Sequence, residues 1–378
     1  MSKNLTKNMK KRIVKDVPSS PPNGNTQGRY MSWLRILKRY LSANIAVDLG
    51  TANTLIYIPD KGVALNEPSV VALEKESHKL IAVGGDAKRM LGRTPDEILA
   101  IRPLKDGVIS DIMVTERMLD HFLKKTLHQG RFFRYKSRVI ICVPAGITEV
   151  ERRAVRQAAN QAGAGDIYLV SEPIAAAIGA GLNVGGPRGN MIIDIGGGTT
   201  EIAVIALDGI VCDTSIRVAG DEMDEGIVQH IKKKYNLLIG ESTAEQIKFE
   251  IGSAHELEKE LTFRVKGRDL IKGIPNTEKI SSEEIRDALK EPVDAIVEAT
   301  KQSLELTPPE LASDIVDNGL VMTGGGSQLR GLGKLITKQT GLKVNCVENP
   351  MECVVRGAGE ILENPKKYQK LLTRGKQL

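Results

Sequence analysis

A short apolar strand that runs into an aspartate, a glycine-bearing turn and threonines occurs twice in this chain. The first copy is Asn44-Ile45-Ala46-Val47-Asp48-Leu49-Gly50-Thr51-Ala52-Asn53-Thr54. The second is Met191-Ile192-Ile193-Asp194-Ile195-Gly196-Gly197-Gly198-Thr199-Thr200-Glu201, with Asp194 lying 146 residues after Asp48. In each, the apolar run fits a buried strand and the glycines let the backbone turn tightly with its N–H groups outward. The threonines add hydroxyl donors, and together these are the surroundings a phosphate chain needs. The aspartates would repel a bare phosphate but suit a magnesium ion, which prefers carboxylates and keeps several waters of its own. Two such loops face to face would grip a nucleotide's phosphates from both sides, through Gly50, Thr51, Ala52 and Asn53 on one and Gly196, Gly197, Gly198 and Thr199 on the other. A third turn, Leu320-Val321-Met322-Thr323-Gly324-Gly325-Gly326-Ser327, again follows an apolar strand and precedes an amphipathic stretch over 329–336. One glycine-rich turn is compatible with an ordinary loop; three in one chain argue for a ligand.

At 378 residues the chain has the length of about two domains, and 41% hydrophobic with 26% charged residues is ordinary for a soluble globular protein. No apolar run reaches the roughly 18 residues of a transmembrane span. Cys142, Cys212, Cys346 and Cys353 have no CxxC spacing and read as small buried hydrophobes in a reducing cytoplasm. The five histidines form no ligand cluster. A net charge of +6 would suit nucleic acid if it covered a folded face. Instead, residues 1–43 hold ten Lys and Arg against the single acid Asp16, a balance of +9 that leaves −3 on the body. With aromatic residues at 3% there is little surface for base stacking, and no nucleic-acid partner is expected.

Residues 1 to about 28 are polar, basic and interrupted by Pro18, Pro21, Pro22, Gly24 and Gly28, so they are expected to be disordered. They lack the apolar centre of a signal peptide. Strands are predicted at 45–48, 55–58, 70–73, 139–143, 167–170, 191–194, 202–207, 210–213 and 319–322. Helices are predicted at 115–127, 149–161, 221–234, 244–253, 283–303, 328–338 and 351–362. Thr148 with Glu151 and Ser281 with Glu284 have capping-box spacing. The alternation argues for an α/β fold, and the duplicated turn for two related halves.

The order of the three turns, at Asp48, Asp194 and Gly324, resembles the phosphate-1, phosphate-2 and adenosine motifs of the actin, sugar-kinase and heat-shock-chaperone ATPase superfamily. Within it the chain is most similar to the bacterial actins of the MreB family. The resembling segments are 65–72 (LNEPSVVA), 100–109 (AIRPLKDGVI), 148–154 (TEVERRA), 172–179 (EPIAAAIG) and 307–311 (TPPEL), and the likeness runs from about 44 to about 362. The resemblance implies an α/β, actin-like ATPase fold: two related halves, each a sheet flanked by helices, with the nucleotide in the central cleft. It divides the chain into a basic tail, 1–43, with an amphipathic helix at about 29–41, and four subdomains. The first large one comprises 44–71, 105–185 and 354–378, and the first small one 72–104. The second large one comprises 186–221 and 285–353, and the second small one 222–284.

Hydrolysis of ATP needs charge neutralisation at the phosphates, a metal and a positioned water. The loop donors serve the first, and Asp48 and Asp194 suit Mg²⁺. By resemblance, Glu172 in the Ser171-Glu172-Pro173 turn matches the family's water-orienting acid, with Thr199 as its partner. By position alone Glu172 would also serve as a helix N-terminal carboxylate that stabilises the dipole. Ser171 departs from the family, which more often has a second acid there, and this bears on the fine positioning of Glu172. Glu245 and Lys248 lie three apart on one helix face. The resemblance assigns such a pair to ribose and adenine, a surface salt bridge being the alternative, and it gives Gly324, Gly325, Gly326 and Ser327 to the adenosine end.

The implied function is that of a cytoskeletal ATP hydrolase. It would polymerise into paired protofilaments at the inner face of the cell membrane and, with cell-wall elongation proteins, direct wall synthesis to maintain rod shape. A family paralogue with a related morphogenetic role fits the same residues. A chaperone would need a substrate-binding domain after the ATPase fold and a sugar kinase a second polar pocket, and no resembling segment marks either. For the membrane, a helical wheel puts Tyr30, Trp33, Leu34, Leu37, Tyr40 and Leu41 on one arc, with Arg35, Lys38 and Arg39 opposite. That pattern suits an anionic lipid surface, or a helix docked on its own protein. Phe132 and Phe133, between Arg131 and Arg134, are a second candidate membrane contact, with burial inside the fold as the alternative.

Overall fold

Two sheets repeat one local plan. The computed structural model describes residues 44–126 and 138–374, which belong to one compact unit. The expectations for the tail, for its helix and for Phe132 and Phe133 lie outside the described residues. In the first sheet six strands run in the order Thr373–Arg374, Asp166–Ser171, Arg138–Val143, Ile45–Leu49, Asn53–Ile58 and Gly62–Pro68. In the second the order is Gly209–Ile216, Thr200–Ala206, Asn190–Ile195, Leu320–Thr323 and Val344–Cys346. Each aspartate-bearing strand has an antiparallel hairpin partner on one side and a parallel strand on the other. Strands covered on both faces read as continuous apolar runs, which is why Arg138–Val143 and Asn190–Ile195 were legible as strands.

Between the sheets lies a shared layer. The helix Glu172–Gly179 follows a strand of the first sheet, and the helix Cys353–Glu363 follows the second. One buried cluster joins Ala46, Ile140 and Cys142 of the first sheet to Ile192, Ala203 and Ile205 of the second through Ala175, Ala176 and Ala358 of these helices. The two helices cross at backbone distance. A Cβ on Gly179 would sit 1.9 Å from the Cys353 carbonyl oxygen, and one on Gly357 would sit 1.8 Å from that of Ala175, so only glycine fits.

Both capping boxes form: the Thr148 and Ser281 hydroxyls accept from the backbone N–H of Glu151 and Glu284. The single helix expected over 283–303 is instead two, Ser282–Ala288 and Lys290–Glu305. Pro292 has no N–H to give and its ring would clash with the carbonyl four residues back, so the ladder breaks ahead of it. The helix expected at 328–338 begins only at Leu332, because Gly331 takes the left-handed conformation (φ 76°); a 3₁₀ turn, Gly325–Gln328, precedes it. Two small three-stranded sheets lie outside the main ones. One is Leu80–Val83, Val71–Glu74 and Ile98–Ile101; the other is Leu237–Leu238, Thr262–Asp269 and Pro275–Ser281. The sequence reading found only Val71–Glu74 of the former and none of the latter, whose strands bury few side chains. It also missed the helix Pro309–Asn318. The cysteines were expected to be buried; Cys142 and Cys353 are, Cys212 is half-buried, and Cys346 is exposed on an edge strand.

Candidate nucleotide cleft

The duplicated turns meet. A Cβ on Gly197 would lie 2.6 Å from the Ala52 Cβ, and one on Gly198 would lie 3.1 Å from the Thr51 side chain and from the Asp106 nitrogen. The first loop is pinned by Ser69, whose hydroxyl donates to the Gly50 carbonyl (2.7 Å) and whose N–H donates to that of Ala52 (2.9 Å). The second is pinned from the helix Gly220–Tyr235, where the Asp221 N–H donates to the Gly197 carbonyl (2.7 Å). The hairpin turn at Asp106 and Gly107 closes the third side, with the Gly107 N–H donating to the Thr51 hydroxyl (3.0 Å). Among the described residues the amides of Thr51, Ala52, Gly197 and Gly198 donate to no protein acceptor. Unpaired N–H groups on two opposed loops form a site for an anion.

These loops floor a cleft of about 1210 Å³, open space at its mouth included. Every glycine-loop residue named from the sequence lines it, as do Asp48, Glu172, Asp194, Thr199, Glu245 and Lys248. Gly324, Gly325 and Gly326 line it as well; at Gly324 (φ 83°) a Cβ would fall 2.2 Å from the Ile195 carbonyl oxygen. Ser327 stands apart: it is buried, and its hydroxyl donates to the Gly324 carbonyl (2.6 Å), which ties the turn together. Trp33, Leu34, Leu37, Tyr40, Leu41, Phe132 and Phe133 are outside the described residues. Among the described residues no helix is long and apolar enough to cross a membrane.

Three carboxylates lie at the base of the cleft, deep in the protein yet in contact with solvent through it. Burial pushes the Asp48 carboxyl up to about 7. Burial, then the charges of Asp48 and Glu201, push Asp194 up to about 8. Glu172 is raised well above the ordinary carboxylate range, by burial first and then by Asp48, Glu201 and Asp194. Among the described residues none of the three has a lysine or arginine partner within salt-bridge distance. Glu201, which sequence reasoning passed over, faces Asp194 across the strand pair and is 2% exposed. Its carboxylate accepts from the Ser215 hydroxyl (2.5 Å) in its own half and from the Ala145 N–H (3.1 Å) in the other. An acid inside the all-buried strand Thr200–Ala206 was the available signal.

Glu245 and Lys248 do face the cleft together, but each has a different partner. Lys248 pairs with Asp224 (2.9 Å) and donates to the Gly220 carbonyl (2.7 Å), while Glu245 pairs with Lys88 (2.6 Å). Burial raises the Asp224 carboxyl to about 6 against the opposing pull of Lys248. Arg102 pairs with Asp221 (2.8 Å) and approaches Glu241 (3.7 Å). Lys88, Arg102, Asp221 and Asp224 all line the cleft and were not identified from the sequence.

Comparison with known proteins agrees with this architecture. The profile of the MreB/Mbl protein family matches residues 42–370. The chain is 51% identical over 334 residues to the cell shape-determining protein MreB of Escherichia coli (strain K12), covering 87% of this chain and 96% of that protein. It is 50% identical over 327 residues to the cell shape-determining protein Mbl of Bacillus subtilis (strain 168), covering 86% and 98%. Among solved structures, MreB5 of Spiroplasma citri bound to AMPPNP is similar with a TM-score of 0.83 and 38% identity, over 87% of this chain and 98% of that one. The MamK double helical filament, at 24% identity and a TM-score of 0.72 over 85% and 99%, shares the fold. With two halves built on one strand–turn plan, a glycine-lined cleft between them and half of the residues shared over nearly the whole body, this chain belongs to the MreB/Mbl family of actin-like proteins.

Proposed function

We propose that the chain is an ATP-hydrolysing, filament-forming protein that helps to set cell shape. The observation that carries the reading is the cleft floor, where unpaired backbone donors on two loops share one cleft with three deep carboxylates that have no protein cation. Such a floor suits a polyphosphate together with a divalent cation, each compensating what the other lacks. Among the described residues no three His, Cys, Asp or Glu side chains converge as a ready-made metal cage. That fits Mg²⁺, which is ordinarily held by one or two carboxylates with phosphates and waters completing the shell. Asp48 and Asp194 would hold it, and when bound it would neutralise the phosphate oxygens.

Glu172 is the reading's water-orienting acid, with Thr199, which lines the same cleft, as its partner. Burial and then the charges of Asp48, Glu201 and Asp194 raise its carboxyl, and a cation at Asp48 and Asp194 would lower it again. Thr51, Ala52, Gly197 and Gly198 would fix the phosphates through their amides. Glu245 and Lys248 would meet the ribose and base, with Gly324 to Gly326 beneath them. The four-subdomain division at 72, 105, 186, 222, 285 and 354 is part of the same reading.

MreB5 is known in an AMPPNP-bound form and MamK as a double helical filament, which supports nucleotide binding and self-association here. The test is sedimentation of the purified chain with and without ATP and Mg²⁺, with electron microscopy of the pellet and a phosphate-release assay. Paired protofilaments and released phosphate are expected. Monodisperse protein over a range of salt, protein and nucleotide concentrations would overturn the filament reading. Placement at an anionic membrane, and work with cell-wall elongation proteins, rest on the tail's sequence and on the family. Flotation with anionic liposomes, lost in the Trp33→Glu/Leu37→Glu double variant, is the expected outcome for the membrane.

A further inference from the structure

Ion pairs join the segment 71–102 to the segment 220–245 across the cleft. Lys88 ends the short helix Gly85–Lys88, which is anchored by the Gly85 N–H donating to a Glu67 carboxylate oxygen (2.8 Å). Its ammonium meets Glu245 on the helix Glu241–Ile251. Arg102, just past the strand Ile98–Ile101, meets Asp221 at the start of the helix Gly220–Tyr235 and approaches Glu241. Among the described residues these are the ion pairs that join the segment 71–102 to the segment 220–245. The acceptors also sit close to the nucleotide side: the Asp221 N–H holds the second phosphate loop through Gly197, and Glu245 shares a helix turn with Lys248.

We propose that Lys88 with Glu245, and Arg102 with Asp221 and Glu241, form an ionic latch across the cleft mouth that sets how fast nucleotide leaves. The proposal rests on the reading of the cleft as a nucleotide site. A bound nucleotide below the latch cannot leave until the pairs part, and a part-exposed pair is weak enough to part often. Side-chain exposures of 33% and 25% for Lys88 and Glu245, and of 25% and 31% for Arg102 and Asp221, put the pairs within reach of screening by salt. The loops of the floor, held by backbone hydrogen bonds and glycine contacts, are screened much less. Lys88 and Arg102 are therefore positioning residues: they act on the nucleotide through the carboxylates they hold.

The experiment follows release of a fluorescent N-methylanthraniloyl-ATP, chased by excess ATP, from the full chain in Mg²⁺. Wild-type release is expected to accelerate several-fold from about 0.05 to 0.5 M KCl. The Lys88→Ala/Arg102→Ala double variant is expected to release about tenfold faster at low salt and to lose most of the salt dependence. Arg102→Glu alone should release faster still, and adding Asp221→Arg should return the rate to within about threefold of wild type, which a merely misfolded variant would not do. Variants that bind the analogue but release it at the wild-type rate, or a swap that fails to restore the rate, overturn the latch and leave the nucleotide reading standing. A wild-type chain that binds no analogue overturns both.

Discussion

The floor and the mouth of the cleft are built on opposite principles. The floor is assembled from glycines that touch backbone and from carboxylates with no cation beside them, so it is incomplete without a ligand. The mouth is assembled from long charged side chains already paired with one another, so it is complete without a ligand. A region left unsatisfied gains the most when something binds, whereas a self-satisfied one must be broken for anything to pass. Affinity and chemistry belong to the floor, and traffic to the mouth.

The sharpest break in that comparison is Gly324→Ala. With φ at 83° and the Ile195 carbonyl in the way, the added methyl is expected to cost about 3 kcal/mol or more in stability and to abolish nucleotide binding. Denaturant unfolding and a binding titration would check it; a stable, nucleotide-competent variant would mean that the floor is softer than described. Glu172→Ala comes next. Phosphate release should fall about 100-fold while nucleotide affinity stays within about threefold, because the group acts on the hydrolytic step. Hydrolysis at the wild-type rate would remove Glu172 from the reaction.

The third prediction uses pH. Asp48 and Asp194 titrate at about 7 and about 8 in the folded chain, against an ordinary 3.8. A carboxyl raised in this way contributes stability that is complete below its unfolded value and is lost as pH climbs through the folded one. The nucleotide-free chain should therefore lose several degrees of melting temperature from about pH 5.5 to about pH 8.5, and nucleotide with Mg²⁺ should flatten the decline. A profile that is level without ligand would contradict the uncompensated floor. The smallest effect expected is that of Ser327→Ala, about 1 kcal/mol in stability from the lost bond to Gly324, with nucleotide affinity within about twofold. A large loss of affinity with unchanged stability would return Ser327 to the ligand.

The same division explains what was legible. The floor is local in sequence: an apolar run, an aspartate and glycines within eleven residues announce a strand and a donor-lined turn wherever they fold. The mouth is not. Arg102 and Asp221 are 119 residues apart, and Lys88 and Glu245 are 157 apart, so their meeting depends on how two insertions face each other. Glu245 and Lys248 were correctly placed on one face, but that they would be held by Lys88 and Asp224 had no local sign. The second small sheet escaped notice because Thr262–Asp269 fully buries only Val265 and Asp269. The helix break before Lys290 was readable from Pro292 and was missed because the apolar periodicity on either side of it is continuous.

The crossing of the helices Glu172–Gly179 and Cys353–Glu363 has a mechanical consequence. The first packs on the second sheet and the second on the first, so their contact is where the halves bear on each other. Backbone meets backbone at Gly179 and Gly357, with no side chain between them to rearrange. A joint of that kind tolerates turning but not sliding, since translation along either helix would drive Cα hydrogens into carbonyls. The contact therefore fixes the height at which the two helices cross, and Glu172 begins a helix whose far end is held there.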